Sequence, residues 1–163
     1  MLLALSLIYI KSEIVAFGMV AGHSMEPTLF NHQPVLFKPE ANSLQRGQIV
    51  VLNDGVGLAI KRLIALPGET IEFSRNAKDV YVNGKMIIEP YLIPGERTAF
   101  QQTQKYVLKS DEFFVMGDNR RGSSDSRVYG AIHESQIKGT LLATPEPIYF
   151  VSHDQDLSNF IKH

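Results

Sequence analysis

Short apolar segments, each ended within a few residues by Gly, Pro, Asn or Asp, constrain the fold of this chain more than any other feature. Typical examples are GQIVVLNDG at residues 47–55 and DEFFVMGDN at residues 111–119. Segments of this length that are rich in Val, Ile and Phe are typical of β-strands. Asn83-Gly84, between VYV and KMII, predicts a two-residue hairpin turn, because a type I′ turn needs positive φ at both central residues. We therefore expect a mainly β, barrel-like fold with few short helices.

The chain has 163 residues, the length of one domain, and it shows no internal repeat. We expect a main domain at residues 14–150, an apolar segment before it at 1–13 and a tail after it at 151–163. The polar stretch at about 76–105 predicts a small β excursion from the main sheet. Single helical turns are predicted at two places, Ser24–Leu29 and His133–Ile137.

Composition excludes several classes of function. The 16 Lys and Arg against 17 Asp and Glu give a net charge of −1, so no basic excess is available for a phosphate backbone and nucleic acid is not an expected partner. The absence of cysteine excludes disulfides, cysteine zinc sites and thiol nucleophiles. Neither a His-Glu-x-x-His motif nor a phosphate-binding glycine loop is present. We expect neither a metal nor a cofactor.

The N-terminal run Met1–Ile10 is apolar throughout. As a helix it would extend about 15 Å, half of a membrane's hydrocarbon core. Extending it to Val20 would place Lys11 and Glu13 near the bilayer centre, at roughly 2.5–3.5 kcal/mol each. Two interpretations therefore stay open: a short or incomplete membrane anchor, or an apolar segment that lies at a membrane interface or packs on the domain.

Ser24 is a candidate nucleophile. Gly22 precedes it and Pro27 follows it, so the backbone around the hydroxyl follows a defined path. The same residue types also occur in ordinary tight turns, and a serine hydroxyl needs a base before it can attack a carbonyl.

Lys61 is the strongest candidate for that base. It lies in LAIKRLIA at 58–65, and strand alternation gives it the apolar neighbours Ala59 and Leu63 on its own face. Burial lowers the pKa of a lysine, so the neutral amine becomes available near neutral pH. The alternative is that Lys61 reaches the sheet edge or pairs with a carboxylate. The histidines have no catalytic motif around them and are interpreted as surface residues: His23, His32, His133, His153 and His163.

A third polar segment follows the apolar strand FFV and covers residues 117–127. Asp118 or Asp125, paired with Arg127 through two hydrogen bonds, could fix this segment as a loop. The spacing of its carboxylates does not match an EF-hand, so a metal is not expected there.

Five segments, in this order and spacing, resemble type I signal peptidases, the Ser-Lys membrane proteases that remove signal peptides from exported preproteins. The segments are SMEPTL at 24–29, RGQIVV at 46–51, IKRLIALPGE at 60–69, YVNGK at 81–85 and GDNRRGSSDSR at 117–127. The resemblance implies the family's β-rich fold, with residues 14–150 as the catalytic domain. It also implies a serine endopeptidase that needs no cofactor.

The resemblance also assigns roles to individual residues. Ser24 attacks the scissile carbonyl and its N–H binds the oxyanion, while Lys61 takes and returns the proton. Ser123 orients Lys61, and Asp118 and Arg127 match a structural ion pair. Gly22 stands in the oxyanion region, where some family members have a second hydroxyl donor. Our hypothesis for the walls of the substrate pocket is Val20, Met25, Leu29 and Ile60.

The substrates implied are exported preproteins with small residues at P1 and P3, the Ala-x-Ala pattern. The family places the active site on the membrane-facing side, so we expect contact with lipid and an extracytoplasmic catalytic domain. Lys11 matches the basic residue that ends the family's membrane helix. Alternatives are a peptidase specialised for one secreted or conjugation substrate, a non-catalytic membrane-associated scaffold, and a self-cleaving repressor, which would need a cleavage site upstream of Ser24.

Overall fold

The structure, a computed structural model, describes residues 6–10, 13–39, 43–74, 79–95, 98 and 104–144. Lys11 and the predicted tail at 151–163 lie outside the described residues. The boundaries predicted for the domain therefore stay predictions.

Within the described residues, eight strands form the main sheet, which is antiparallel at every pairing and curls into a half-barrel. In spatial order they are β1 (Ser6–Ile10), β2 (Glu13–Met19), β3 (Pro34–Lys38), β12 (Ile137–Ala143), β4 (Ile49–Asn53), β5 (Leu58–Ala65), β10 (Glu112–Met116) and β11 (Ile132–His133). The prediction of a mainly β fold is confirmed.

Between β5 and β10 the chain leaves the main sheet and forms a smaller antiparallel sheet. Its strands, in spatial order, are β8 (Lys85–Met86), β7 (Val80–Val82), β6 (Thr70–Phe73) and β9 (Lys105–Val107). We call residues 70–107, which include the stretch predicted as an excursion, the small-sheet segment. The predicted hairpin turn is confirmed, since φ is +51° at Asn83 and +74° at Gly84.

Helical structure is sparse in the described residues. The helix α1 (Ser126–Tyr129) begins after Asp125, whose side chain accepts a hydrogen bond from Arg127 N, and sequence reasoning missed it. A 3₁₀ turn at Glu134–Gln136 lies within one of the two predicted helical turns. No helix in this part of the chain has both the length and the apolar character needed to cross a membrane.

The N-terminal run contributes an edge strand. The backbone of β1 pairs with β2 from Ser6 opposite Phe17 to Ile10 opposite Glu13. In the described part of the run, the chain therefore extends the main sheet.

The strands β4 and β5 lie in the middle of the main sheet and are buried along most of their length. Lys61 and Arg62 on β5 are buried among apolar residues, with 5% and 9% of their surface exposed. Two adjacent basic side chains in an apolar core need specific partners, because burial of an unpaired polar or charged group is costly. Those partners define the candidate site.

Candidate active site

The fold brings the hydroxyl of Ser24 and the amine of Lys61 together. Lys61 Nζ lies 2.9 Å from Ser24 Oγ and also donates to the carbonyl of Ile60 at 3.0 Å. The two residues are 37 positions apart in the chain, so only the tertiary structure makes this contact. A nucleophile and a base within hydrogen-bond reach are the basic requirement for covalent catalysis by a serine.

The loop between β2 and β3 positions Ser24 from one side. Its ends are tied by hydrogen bonds from Val20 N to Gln33 O and from His32 N to Val20 O, both at 2.9 Å. Gly22 adopts φ +97°, a conformation that favours glycine, and its N–H donates to Asn31 Oδ1 at 2.9 Å. The N–H of Gly22 is therefore already occupied within the loop.

The loop at 117–127 holds Ser24 from the other side. The backbone N–H of Asn119 donates to Ser24 O at 3.1 Å, and Asn119 Nδ2 donates to His23 O at 3.1 Å. Gly117 is in close contact with Ser24: a Cβ at position 117 would lie 2.4 Å from Ser24 O and 2.5 Å from the Cβ of Ser123. No larger residue fits at position 117 without displacing the backbone around Ser24, which we call the nucleophile segment.

The environment of Lys61 favours the neutral amine. Desolvation by burial lowers the pKa of Lys61 below its ordinary value, and the positive charge of Arg127 acts in the same direction. The carboxylates of Asp125 and Asp54 oppose this effect, and the net shift is downward. A lysine with a lowered pKa can accept a proton from Ser24 at a pH where a free lysine could not.

Of the two carboxylates predicted as partners of Arg127, Asp125 is the one that binds it, and the pairing of Asp118 with Arg127 that the resemblance implied is not found. Asp118 accepts two hydrogen bonds from Arg62, from Nε at 2.8 Å and from Nη2 at 2.6 Å. Arg127 binds Asp125 in the same two-point manner, at 2.7 Å for each bond. The reason is the register, which pairs Arg62 on β5 with Met116 on β10, so that Asp118 emerges next to Arg62.

Ser123 does not contact Lys61 through a hydrogen bond in this structure. Its hydroxyl oxygen is buried and has no hydrogen-bond partner among the described residues. The side chain lies against Gly117, at the contact that also involves Ser24 O. The buried hydroxyl of Ser123 is therefore free to form a hydrogen bond next to the candidate nucleophile Ser24.

A cleft of about 160 Å³ is lined by Ser24 and Lys61, the candidate nucleophile and base. Three of the four predicted wall residues, Val20, Met25 and Ile60, line it. The fourth, Leu29, is buried in the apolar cluster behind them and does not line the cleft. Another part of the lining was missed by sequence reasoning, because it comes from the turn between β4 and β5 and from the start of β5. It consists of Asp54, Val56, Gly57, Leu58 and Ala59.

None of the described histidines lines this cleft. His23 is exposed and pairs with Glu26 at 2.7 Å, a carboxylate partner that the sequence did not suggest. His133 is exposed and contacts Asp111 at 2.9 Å, and His32 is also exposed. His153 and His163 lie outside the described residues. In the described ranges, no three His, Asp or Glu side chains are grouped so that they could hold a metal ion.

Comparison with known proteins matches these features to one family. The model of the family described as signal peptidase, peptidase S26, matches residues 1–144. The chain is 37% identical over 144 residues to a signal peptidase I from Bacillus amyloliquefaciens, a match that covers 82% of this chain and 77% of the relative. It is 38% identical over 143 residues to signal peptidase I S from Bacillus subtilis (strain 168), covering 80% of this chain and 77% of the relative.

A solved structure supports the same assignment. A crystal structure of a signal peptidase I from Enterococcus faecalis V583 matches with a TM-score of 0.53 and 27% identity, covering 63% of this chain and all of the other. The predicted resemblance and the predicted enzyme class, a serine endopeptidase, are confirmed. The chain belongs to the signal peptidase family, peptidase S26.

Proposed function

We propose that this chain removes N-terminal signal peptides from exported preproteins, with Ser24 as the nucleophile and Lys61 as the general base. The observation that carries the proposal is the distance of 2.9 Å between Lys61 Nζ and Ser24 Oγ, two residues that line the cleft. Membership in the signal peptidase family supports the substrate class.

The chemistry follows from the neutral amine of Lys61. As Ser24 Oγ attacks the scissile carbonyl, its proton moves to Lys61 Nζ and an oxyanion forms on the substrate. The ammonium then returns the proton to the leaving amine as the peptide bond breaks. A water molecule attacks the acyl group on Ser24, with Lys61 again accepting a proton, and the enzyme is regenerated.

Stabilisation of the oxyanion is assigned to the backbone N–H of Ser24, which forms no hydrogen bond within the described residues. Gly22 acts indirectly, because its own N–H is bonded to Asn31 and holds the loop that carries Ser24. Ser123 is proposed to orient Lys61, and its buried, unpartnered hydroxyl supports this role.

The cleft supports selection of small side chains, the Ala-x-Ala pattern at P1 and P3. Its volume is about 160 Å³, and the walls that come from Val20, Met25 and Ile60 are apolar. Methyl groups would fill apolar pockets of this kind, and larger side chains would collide with the walls. We also propose that the catalytic domain works at the extracytoplasmic surface of a membrane, where signal peptides are presented.

The test is cleavage of a synthetic peptide that spans an Ala-x-Ala signal-peptide junction, in detergent micelles, with the products mapped by mass spectrometry. Cleavage after the P1 alanine by the wild type, and its loss in both Ser24→Ala and Lys61→Ala, supports the proposal. Ser124→Ala and Lys85→Ala, which change exposed residues of the same types, serve as matched controls and should cleave normally. Activity that survives Lys61→Ala overturns the assignment of the base.

The peptide test also separates the alternatives. A folded wild type that cleaves no member of a panel of Ala-x-Ala peptides points to a peptidase specialised for one substrate or to a scaffold. Reaction of Ser24 with a general serine acylating reagent distinguishes these two, because a specialised peptidase retains an activated serine and a scaffold does not.

A further inference from the structure

Two half-buried polar side chains of the small-sheet segment contact arginines that lie next to the candidate site. They are Glu89 and Tyr91, which follow β8, and they contact Arg62 and Arg120. We call these four residues the clamp. Neither Glu89 nor Tyr91 lines the cleft.

The first arm of the clamp acts on Arg62, the residue after Lys61. The in-plane donors of Arg62 bind Asp118 through Nε and Nη2, and Nη1 donates to Gly47 O at 2.7 Å. Cζ of Arg62 lies over the ring of Tyr91, 3.9 Å from the ring centroid. Hydrogen bonds fix the guanidinium within its plane and the ring limits its tilt, so Tyr91 completes the orientation of Arg62.

The second arm of the clamp acts on the 117–127 loop. Glu89 binds both terminal nitrogens of Arg120, whose side chain is fully buried. Arg120 Nε in turn donates to Gly117 O at 3.1 Å, and Arg120 Nη1 donates to Thr98 at 2.8 Å. Gly117 is the residue whose α-carbon lies against Ser24 O. Glu89 is therefore connected to the nucleophile through Arg120 and Gly117.

The two arms are joined, because Tyr91 OH donates to Glu89 Oε1 at 2.6 Å. One end of the clamp is one residue from Lys61 along β5, and the other end reaches the contact with Ser24. Ser24 and Lys61 must react across about 3 Å, so their reaction is sensitive to displacement of the backbone at either residue. A misplacement of about 1 Å can reduce the rate a hundredfold. We propose that Glu89 and Tyr91 are positioning residues that hold Lys61 and Ser24 in reactive register. This inference rests on the proposed function of that pair.

Tyr91 offers the sharper test, because loss of Glu89 would leave the Arg120 charge buried and could prevent folding. Tyr91→Leu removes the ring above Arg62, whereas Tyr91→Phe keeps the ring and removes only the hydroxyl. The matched control is Tyr106→Leu. Tyr106 lies on β9 of the same small sheet, is half-buried and donates its hydroxyl to Gln104, two residues earlier, as Tyr91 does to Glu89. It makes no contact with the clamp that the structure records.

The experiment measures kcat and KM for the Ala-x-Ala peptide with each folded variant. We expect Tyr91→Leu to lower kcat at least tenfold with KM changed less than twofold, because the cleft walls are intact. Tyr91→Phe should retain at least half of the wild-type kcat, and Tyr106→Leu should resemble the wild type. A Tyr91→Leu kcat within twofold of the wild type, or an equal loss in Tyr106→Leu, overturns the inference.

A second readout does not depend on cleavage. The Lys61 amine is titrated by NMR in protein with isotope-labelled lysine, and its signal is assigned with Lys61→Met. Tyr91→Leu should loosen the site and admit water, which raises the pKa of Lys61, whereas Tyr106→Leu should leave this pKa unchanged. The charged groups that face Lys61 are the same in both variants: Asp54, Asp125 and Arg127. An unchanged pKa in Tyr91→Leu counts against positioning. A wild type that cleaves nothing overturns the proposed function alone, and the titration still decides the role of Tyr91.

Discussion

Gly117→Ala tests whether the contact between the 117–127 loop and the nucleophile segment is as tight as the structure shows. The added methyl carbon would lie 2.4 Å from Ser24 O and 2.5 Å from Ser123 Cβ. Neither atom can rotate away, because one is a backbone carbonyl and the other is attached directly to the backbone. Relief to an ordinary contact of about 3.4 Å therefore requires a shift of roughly 1 Å between the two segments.

A displacement of roughly 1 Å at a nucleophile reduces the rate about a hundredfold. Overpacking of a tight site also costs about 1–3 kcal/mol of folding stability. We therefore expect Gly117→Ala to fold with reduced stability in urea unfolding and to lower kcat for the Ala-x-Ala peptide by about two orders of magnitude. Because Ser24 moves relative to Lys61, the loss should fall mainly on kcat.

Gly139→Ala is the matched control. A Cβ at position 139 would lie 2.3 Å from Lys38 O, a backbone clash of the same size between β12 and β3, which do not line the cleft. It should lower stability by a similar amount and leave kcat within about twofold. A folded Gly117→Ala enzyme with normal kcat, or an equal kinetic loss in Gly139→Ala, would refute the reasoning.

Three further outcomes follow from the site. The cleavage rate should fall as pH drops below the lowered pKa of Lys61, since protonation removes the base. Asp54→Asn keeps a hydrogen-bond acceptor for the turn but removes a negative charge that raises the pKa of Lys61, so the acidic limb of the kcat/KM profile should move to lower pH. An acidic limb that stays in place contradicts this expectation. Ile60→Ala should enlarge the cleft and admit larger P1 side chains in a peptide panel, whereas an unchanged P1 profile removes Ile60 from the pocket. Asp118→Asn should destabilise the fold by about 3–5 kcal/mol in urea unfolding, because Arg62 keeps a buried charge without its carboxylate; a loss below about 1 kcal/mol would show that the charge is compensated otherwise.

Local sequence patterns predicted much of the fold. The strands β4, β5 and β10 lie in the segments where short apolar runs end at Gly, Pro, Asn or Asp. The Asn83-Gly84 hairpin was predictable because its turn chemistry depends on two adjacent residues only. The helix α1 was not predicted, because a four-residue helix capped by Asp125 carries no apolar period.

The candidate site was predicted in part, and the errors have physical causes. Burial of Lys61 followed from its apolar strand, whereas the partner of Asp118 could not be read from spacing, because it depends on the register between β5 and β10. Leu29 is near Ser24 in sequence but packs into the core, since a turn directs neighbouring side chains to opposite sides. The cleft lining at Val56–Ala59 was missed because the pairing of β4 with β5, which forms this turn, cannot be read from the spacing of residues around Ser24.

The amino-acid sequence by itself determined the β-rich class, the family resemblance and the identity of the nucleophile and base candidates. Each of these depends on residue types within short segments and on the order of those segments along the chain. Only the tertiary structure decided that Lys61 Nζ lies 2.9 Å from Ser24 Oγ, that Arg62 binds Asp118, and that Tyr91 covers Arg62. The residues in these contacts are 37, 56 and 29 positions apart in the chain. Strand register and the packing of the small sheet create the contacts, and no local sequence pattern encodes the register or the packing.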